Sequence, residues 1–155
     1  MTTLLALDIG GTKVGWGIVE AGDTYEVTER GSIPTDAMRG GTDVAARICE
    51  LASSLVASHP SVSGVAVASA GVVNPATGDI VSATGTMPGW GGTRLGAQLD
   101  AATGLRVRVL NDVHAHGLGE ATLGAGQPYR SVLSIAVGTG IGGALVEDRQ
   151  VSFGS

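Results

Sequence analysis

Residues 3–9 are almost continuously apolar and the run stops at Gly10-Gly11, which predicts a strand buried on both faces. Residues 14–20 and 24–33 give two further strand-like runs, and Ala21-Gly22-Asp23 between them predicts a hairpin turn, so the opening reads as a β-meander. The period then changes. Val44, Ile48, Leu51 and Leu55, flanked by Ala45, Ala52 and Val56, make the stripe of an amphipathic helix over residues 42–58 that ends before Pro60. Residues 64–69 predict another buried strand, Asn74-Pro75 and Thr77-Gly78 a small excursion of turns, and residues 84–92 a loop. A short helix over 93–102, a strand over 107–110 and a helix over 112–123 with Val113, Leu118 and Ala121 as its apolar positions come next. Residues 131–137 read as a further buried strand, which the glycine-rich segment 138–143 turns into runs at 144–147 and 150–153. No linker, low-complexity tract or heptad interrupts this order. It predicts a layered α/β domain over residues 1–125, with a second module beginning over 126–155.

Composition narrows the classes. A chain of 155 residues, 43% apolar, can bury a real core, and that core is aliphatic because the aromatics are two Trp, two Tyr and one Phe. A net charge of −5 with so few rings argues against a nucleic-acid partner, which needs clustered Lys and Arg. The start lacks a basic region and meets Asp8 after one short apolar run, so neither signal peptide nor membrane span is expected. One cysteine, Cys49, makes no internal disulfide, and the cytoplasm is the expected compartment. Glycine is the outlier: 26 residues, far above the typical ~7% and without a collagen period. Backbone geometry is therefore the place to look for chemistry.

Three segments carry candidate chemistry. In Asp8-Ile-Gly-Gly-Thr-Lys13, an acid at the carboxyl end of the first strand can hold Mg2+ through water, while Gly10 and Gly11 let backbone N–H groups approach a phosphate and Thr12 offers a hydroxyl. The bland alternative is a glycine hairpin with a solvated acid. Gly138-Thr-Gly-Ile-Gly-Gly143 also turns directly after a strand, and two such hairpins can close on one polyphosphate. Its G-x-G-x-x-G spacing fits a dinucleotide site only if a helix follows, and Ala-Leu-Val-Glu continues as a strand. Asn111-Asp112 sits at a strand-to-helix junction, where Asp112 can take the proton of an attacking hydroxyl or simply cap the helix. Other residues have plainer readings. His114 and His116, two apart on a helix, face different directions; Cys49 borders an apolar stripe; Arg106 and Arg108 share a solvated strand face. Trp90 either packs over a ligand or pins its loop.

Asp8-x-Gly-Gly-Thr-Lys13, Ala70-Gly71-Val-Val-Asn-Pro75, Met87-Pro-Gly-Trp90, Asn111-Asp112 with Gly119-Glu120, and Gly138-Thr-Gly-Ile-Gly-Gly143 stand in the order and approximate spacing of ROK-family proteins. The chain thus resembles the bacterial sugar kinases and related repressors of the actin and hexokinase ATPase superfamily. The resemblance implies a ribonuclease H-like α/β lobe and ATP-dependent, Mg2+-assisted phosphorylation of a hexose or N-acylhexosamine hydroxyl. It implies a first phosphate loop of Asp8, Gly10, Gly11, Thr12 and Lys13, and a second of Gly138, Thr139, Gly140 and Gly143. Gly71, Thr84, Asn111 and Asp112 match sugar contacts, with Asp112 as the base. ROK kinases continue through a Glu-x-Gly-His segment, a cysteine-rich zinc motif and adenosine-binding loops. This chain is therefore expected to be an incomplete first lobe, inactive alone, with structural zinc only in a second half. The alternatives are a sugar-sensing regulator without its DNA-binding domain and a non-catalytic remnant. Sugar and ATP are the implied partners, with no nucleic acid and no membrane, and family members are commonly dimers or tetramers.

Overall fold

The computed structural model describes residues 1–138 and 140–153. The chain divides into two compact units, Met1–Leu110 and Asn111–Ser155.

In the first unit, β1 (Thr2–Ile9), β2 (Lys13–Ala21) and β3 (Tyr25–Pro34) form the predicted antiparallel meander. A short 3-10 turn at Ala37–Arg39 leads to α1 (Gly41–Ser58), and the chain returns as β4 (Val62–Ser69), parallel to β1. The small excursion is a two-stranded pair, β5 (Val72–Val73) and β6 (Ile80–Ser82), followed by α2 (Leu95–Thr103) and β7 (Arg106–Asn111). The main sheet runs β3-β2-β1-β4-β7. Its core is one cluster: Leu5, Leu7 and Ile9 of β1, Val65 and Val67 of β4, and Val44, Ile48 and Ala52 from the stripe of α1, with Leu95 and Leu99 of α2. Each Val, Leu or Ile among them contributes on the order of 1.5–3 kcal/mol when fully buried.

β1 departs from the expectation of burial on both faces. Leu4 and Ala6 are half-buried and Asp8 is exposed. The alternate positions of β4 carry Ala66 and Ala68, exposed and half-buried. An apolar run that includes alanines satisfies one covering layer of helices as readily as two, and here α1 and α2 cover the face of Leu5, Leu7 and Ile9.

The second unit is built from α3 (Asp112–Leu123) and the antiparallel strands β8 (Ser131–Val137), β9 (Ile141–Glu147) and β10 (Gln150–Val151), in the order β10-β9-β8. The helix lies close on the hairpin because Gly117 faces it: a Cβ there would stand 2.8 Å from the Cβ of Ala144 and 3.2 Å from that of Ser134. These contacts group α3 with the hairpin in the second compact unit. The expectation of a buried β8 is corrected as well. Val132, Ser134 and Ala136 are half-buried, but Leu133, Ile135 and Val137 on the alternate face are 66%, 62% and 77% exposed. Leu133 pairs with Leu145 and Val137 with Ile141, which extend the exposed aliphatic face onto β9. Continuous apolarity does not tell a one-sided strand from a two-sided one when the covering layer is a single helix.

The C-terminus of α1 carries a charge-dependent tie. His59 Nε2 stands 2.9 Å from the Glu29 carboxylate of β3, and Nδ1 stands 2.8 Å from the Leu55 carbonyl. The hydrogen bond to Glu29 and then the one to Leu55 raise the His59 pKa, because the doubly protonated ring alone can donate to both acceptors. A raised folded pKa means that the tie contributes fully below the unfolded value of about 6.5 and is lost as pH rises through the folded value. Thermal melts between pH 5.5 and 8.5 are expected to show a Tm that falls with pH in this way, and His59→Gln is expected to flatten that slope.

Candidate functional site

The carboxyl ends of β1 and β4 lie side by side, where ligands of parallel α/β sheets usually bind. Asp8 is exposed there, opposite Gly15 of β2, whose missing side chain leaves the carboxylate open. Gly10 to Lys13 then form a tight hairpin closed by Gly10 N–H donating to the Lys13 carbonyl at 3.1 Å, with Gly11, Thr12 and Lys13 exposed. The chain leaves β4 through Ala70, whose N–H donates to the Ile9 carbonyl at 2.8 Å. Gly71 follows with φ +96°, and a Cβ there would come within 2.7 Å of the Ser82 carbonyl. Both the dihedral and the space require glycine at that turn.

The loop over residues 84–92 stands against the hairpin. A Cβ built on Gly11 would lie 3.7 Å from the Thr86 carbonyl oxygen and 3.8 Å from Met87 Cγ. Thr84 is exposed, and its hydroxyl bonds to that of Thr86 at 2.7 Å. Trp90 resolves in favour of the pin. It is fully buried, and its Nε1 donates to Ser69 Oγ at 3.2 Å and the Ala70 carbonyl at 3.3 Å. From the other side Gly41, the first residue of α1, donates its N–H to the Pro88 carbonyl at 2.9 Å, and a Cβ at Gly41 would overlap the Gly89 carbonyl. The first unit thus brings together Asp8, the Gly10–Lys13 hairpin, Gly71 and Thr84.

Asn111, Asp112 and the second glycine hairpin belong to the second unit. Asn111 is the cap: its Oδ1 accepts from the N–H of Val113 at 3.0 Å and of His114 at 3.3 Å. Asp112 occupies the first turn of α3, half-buried, and its Oδ1 accepts from Val113 N–H at 2.9 Å. The capping role assigned to Asp112 as a bland alternative therefore goes to its neighbour. The side chain of Val113 packs on the second hairpin, since a Cβ at Gly142 would lie 2.9 Å from Val113 Cγ2. Gly138 and Gly140 are exposed with open space where a Cβ would stand, and Gly143 is exposed within β9. Thr139 lies outside the described residues. A strand, β9, follows the glycines, so the dinucleotide reading lapses as expected.

Two functional-site neighbours had no sequence signal. Thr35, just past β3, is 1% exposed and bonds to the first hairpin. Arg47, on α1, donates to the Thr35 carbonyl and, at 3.1 Å, to that of Pro34. Its Nε also bonds Asp43 at 2.8 Å; that bond, with Arg39 adding to it, holds the Asp43 carboxyl below the usual range. His114 meets Phe153 edge to face at 5.4 Å, and His116 is exposed. Cys49 is half-buried against the core, and burial pushes its thiol up. Arg106 and Arg108 are exposed.

A mixed sheet flanked by helices, with a glycine hairpin after its first strand, defines a lobe of the actin and hexokinase ATPase type. The chain belongs to the ROK family, whose model matches residues 4–155. The beta-glucoside kinase of Listeria monocytogenes is 32% identical over 151 residues, 97% of this chain and 49% of that protein. The solved ROK family glucokinase from Streptomyces griseus, in complex with glucose and AMPPNP, aligns with a TM-score of 0.83 at 27% identity, covering 99% of this chain and 47% of that one. A ROK family transcriptional regulator, a homologue of the E. coli MLC protein, aligns with a TM-score of 0.83 at 25% identity over 97% of this chain and 38% of its own. The chain spans about half the length of the curated relatives it matches.

The buried Trp90 makes a measurable claim. Trp90→Ala is expected to cost about 3–5 kcal/mol in urea unfolding, the penalty of a core cavity, where an exposed ligand platform would cost under ~0.5 kcal/mol.

Proposed function

We propose that this chain is the first lobe of a sugar kinase, which transfers the γ-phosphoryl group of MgATP to a hydroxyl of a hexose or N-acylhexosamine. The observation that carries the reading is Asp112 at the start of α3, beside a side chain that packs on the second glycine hairpin. A carboxylate so placed neighbours a backbone surface open to phosphate. Asp112 accepts the proton of the sugar hydroxyl as its oxygen bonds to phosphorus and the bond to the bridging oxygen of ADP breaks. Gly71, Thr84 and Asn111 hold the sugar. The hairpins of Gly10, Gly11, Thr12 and Lys13, and of Gly138, Thr139, Gly140 and Gly143, hold phosphate. The likeness to named sugar kinases supports this assignment.

The residues also fit magnesium. Mg2+ keeps several waters and takes one or two carboxylates beside substrate phosphates, which suits the exposed Asp8 carboxylate next to the first hairpin. Among the described residues no group of three His, Cys, Asp or Glu forms a closed metal cage. Bound there, the ion neutralises phosphate charge. The proposed use of MgATP supports a cytoplasmic location. No described helix is long and apolar enough to cross a membrane.

The likeness to a ROK family regulator supports a second reading, in which sugar binds without phosphoryl transfer. In a protein joining this lobe to the second half of a kinase relative, calorimetry separates the two. The kinase reading expects heat from both sugar and MgATP, the regulator reading from sugar alone. In the same protein, Asp112→Asn is expected to lower kcat by about 10²–10⁴-fold while sugar affinity stays within a few-fold. Turnover that survives the change removes Asp112 from the role of base.

These 155 residues alone are expected to turn over below about one per second with ATP and a panel of hexoses and N-acylhexosamines. Positioning supplies roughly 7–11 kcal/mol of barrier reduction at best, and it demands that both substrates be held in line. An assay coupled to ADP release checks this directly.

A further inference from the structure

The hydroxyl of Thr35 donates to the Gly10 carbonyl at 2.6 Å, and its backbone N–H donates to the Thr12 carbonyl at 2.9 Å. In a trans peptide the C=O and the following N–H point in opposite directions. With the carbonyls of Gly10 and Thr12 drawn to Thr35, the N–H groups of Gly11 and Lys13 turn away from it, on a hairpin whose tip is exposed. Gly10 and Gly11 have no side chains to choose among their backbone conformers. Thr35, one of two buried polar side chains among the described residues, makes the choice for them. Thr35 is itself held from α1: Arg47 donates to its carbonyl and to that of Pro34, and Asp43 bonds the Arg47 Nε at 2.8 Å.

We propose that Thr35 is a positioning residue that turns the backbone amides of the first hairpin outward for phosphate, with Arg47 as its anchor on α1. The inference rests on the reading of that hairpin as a phosphate loop, but the arrangement can be tested apart from it.

Three variants of the chain serve: Thr35→Val, which keeps shape and removes the donor, Thr35→Ser, which restores it, and Arg47→Lys, which keeps charge and loses the fork. Amide hydrogen exchange by NMR reports on the Gly10 and residue-35 amides, which bond to the Lys13 and Thr12 carbonyls, with the Leu5 and Leu7 amides of β1 as controls. Thr35→Val is expected to speed exchange at Gly10 and residue 35 at least tenfold with the controls within twofold. Thr35→Ser should stay within twofold of the parent, and Arg47→Lys should fall between. Inorganic tripolyphosphate with Mg2+ is then titrated while the Gly11 and Lys13 amide shifts are followed, and Thr35→Val is expected to weaken binding several-fold. Hairpin exchange unchanged in Thr35→Val and Arg47→Lys, or accelerated equally at the β1 controls, overturns the positioning role. Hairpin loosening in Thr35→Val and Arg47→Lys that spares the β1 controls, in a parent chain whose shifts ignore tripolyphosphate, supports the positioning and overturns the phosphate reading.

Discussion

The apolar stripe of α1 is sunk against the sheet through Val44, Ile48 and Ala52, so the core and not the surface loops decides where this helix lies. Both loops of the first unit's site then take their place from it. Gly41 meets Pro88 and Gly89 at its first residue, and Arg47 reaches Pro34 and Thr35 on a later turn. A rise of ~1.5 Å per residue separates these two anchor points by about 9 Å along a rigid rod. Loosening the stripe, at Ile48 for instance, would disturb the hairpin and the 84–92 loop together, since Met87 and Trp90 of that loop share its core cluster.

The second unit solves a similar problem with small residues. Gly117 lets α3 lie down on Ala144 and Ser134, and Gly142 makes room for Val113. Val113, next to Asp112 in the chain, is thereby packed on the hairpin, while Asn111 closes the helix end. With Asn111 as the cap, the Asp112 carboxylate bonds the Val113 amide at the first turn.

Much of this was legible in one sequence, and the reasons differ by element. The stripe of α1 could be read because 3.6-residue periodicity survives without partners, and the two glycine hairpins could be read because each interrupts an apolar run. Which face of β8 is covered could not be read, since Leu133, Ile135 and Val137 look the same in sequence whether or not a layer lies over them. Trp90 was ambiguous because a glycine-rich loop says nothing about where its one ring points. Thr35 and Arg47 had no local signal at all: the threonine acts on residues 25 positions earlier and the arginine on a carbonyl 12 positions earlier, so their roles exist only once the meander and α1 are in place.

The loop clamped by Trp90 on one side and by Gly41 on the other has little freedom to shift its backbone, because Trp90 is buried and Gly89 leaves no room for a side chain on α1. On the proposed reading of Thr84 as a sugar contact, a change of acceptor preference along this edge proceeds by exchange of side chains at the exposed positions 84 to 86, with the main chain kept as a fixed template. A mutagenesis library aimed at that edge can be confined to three codons.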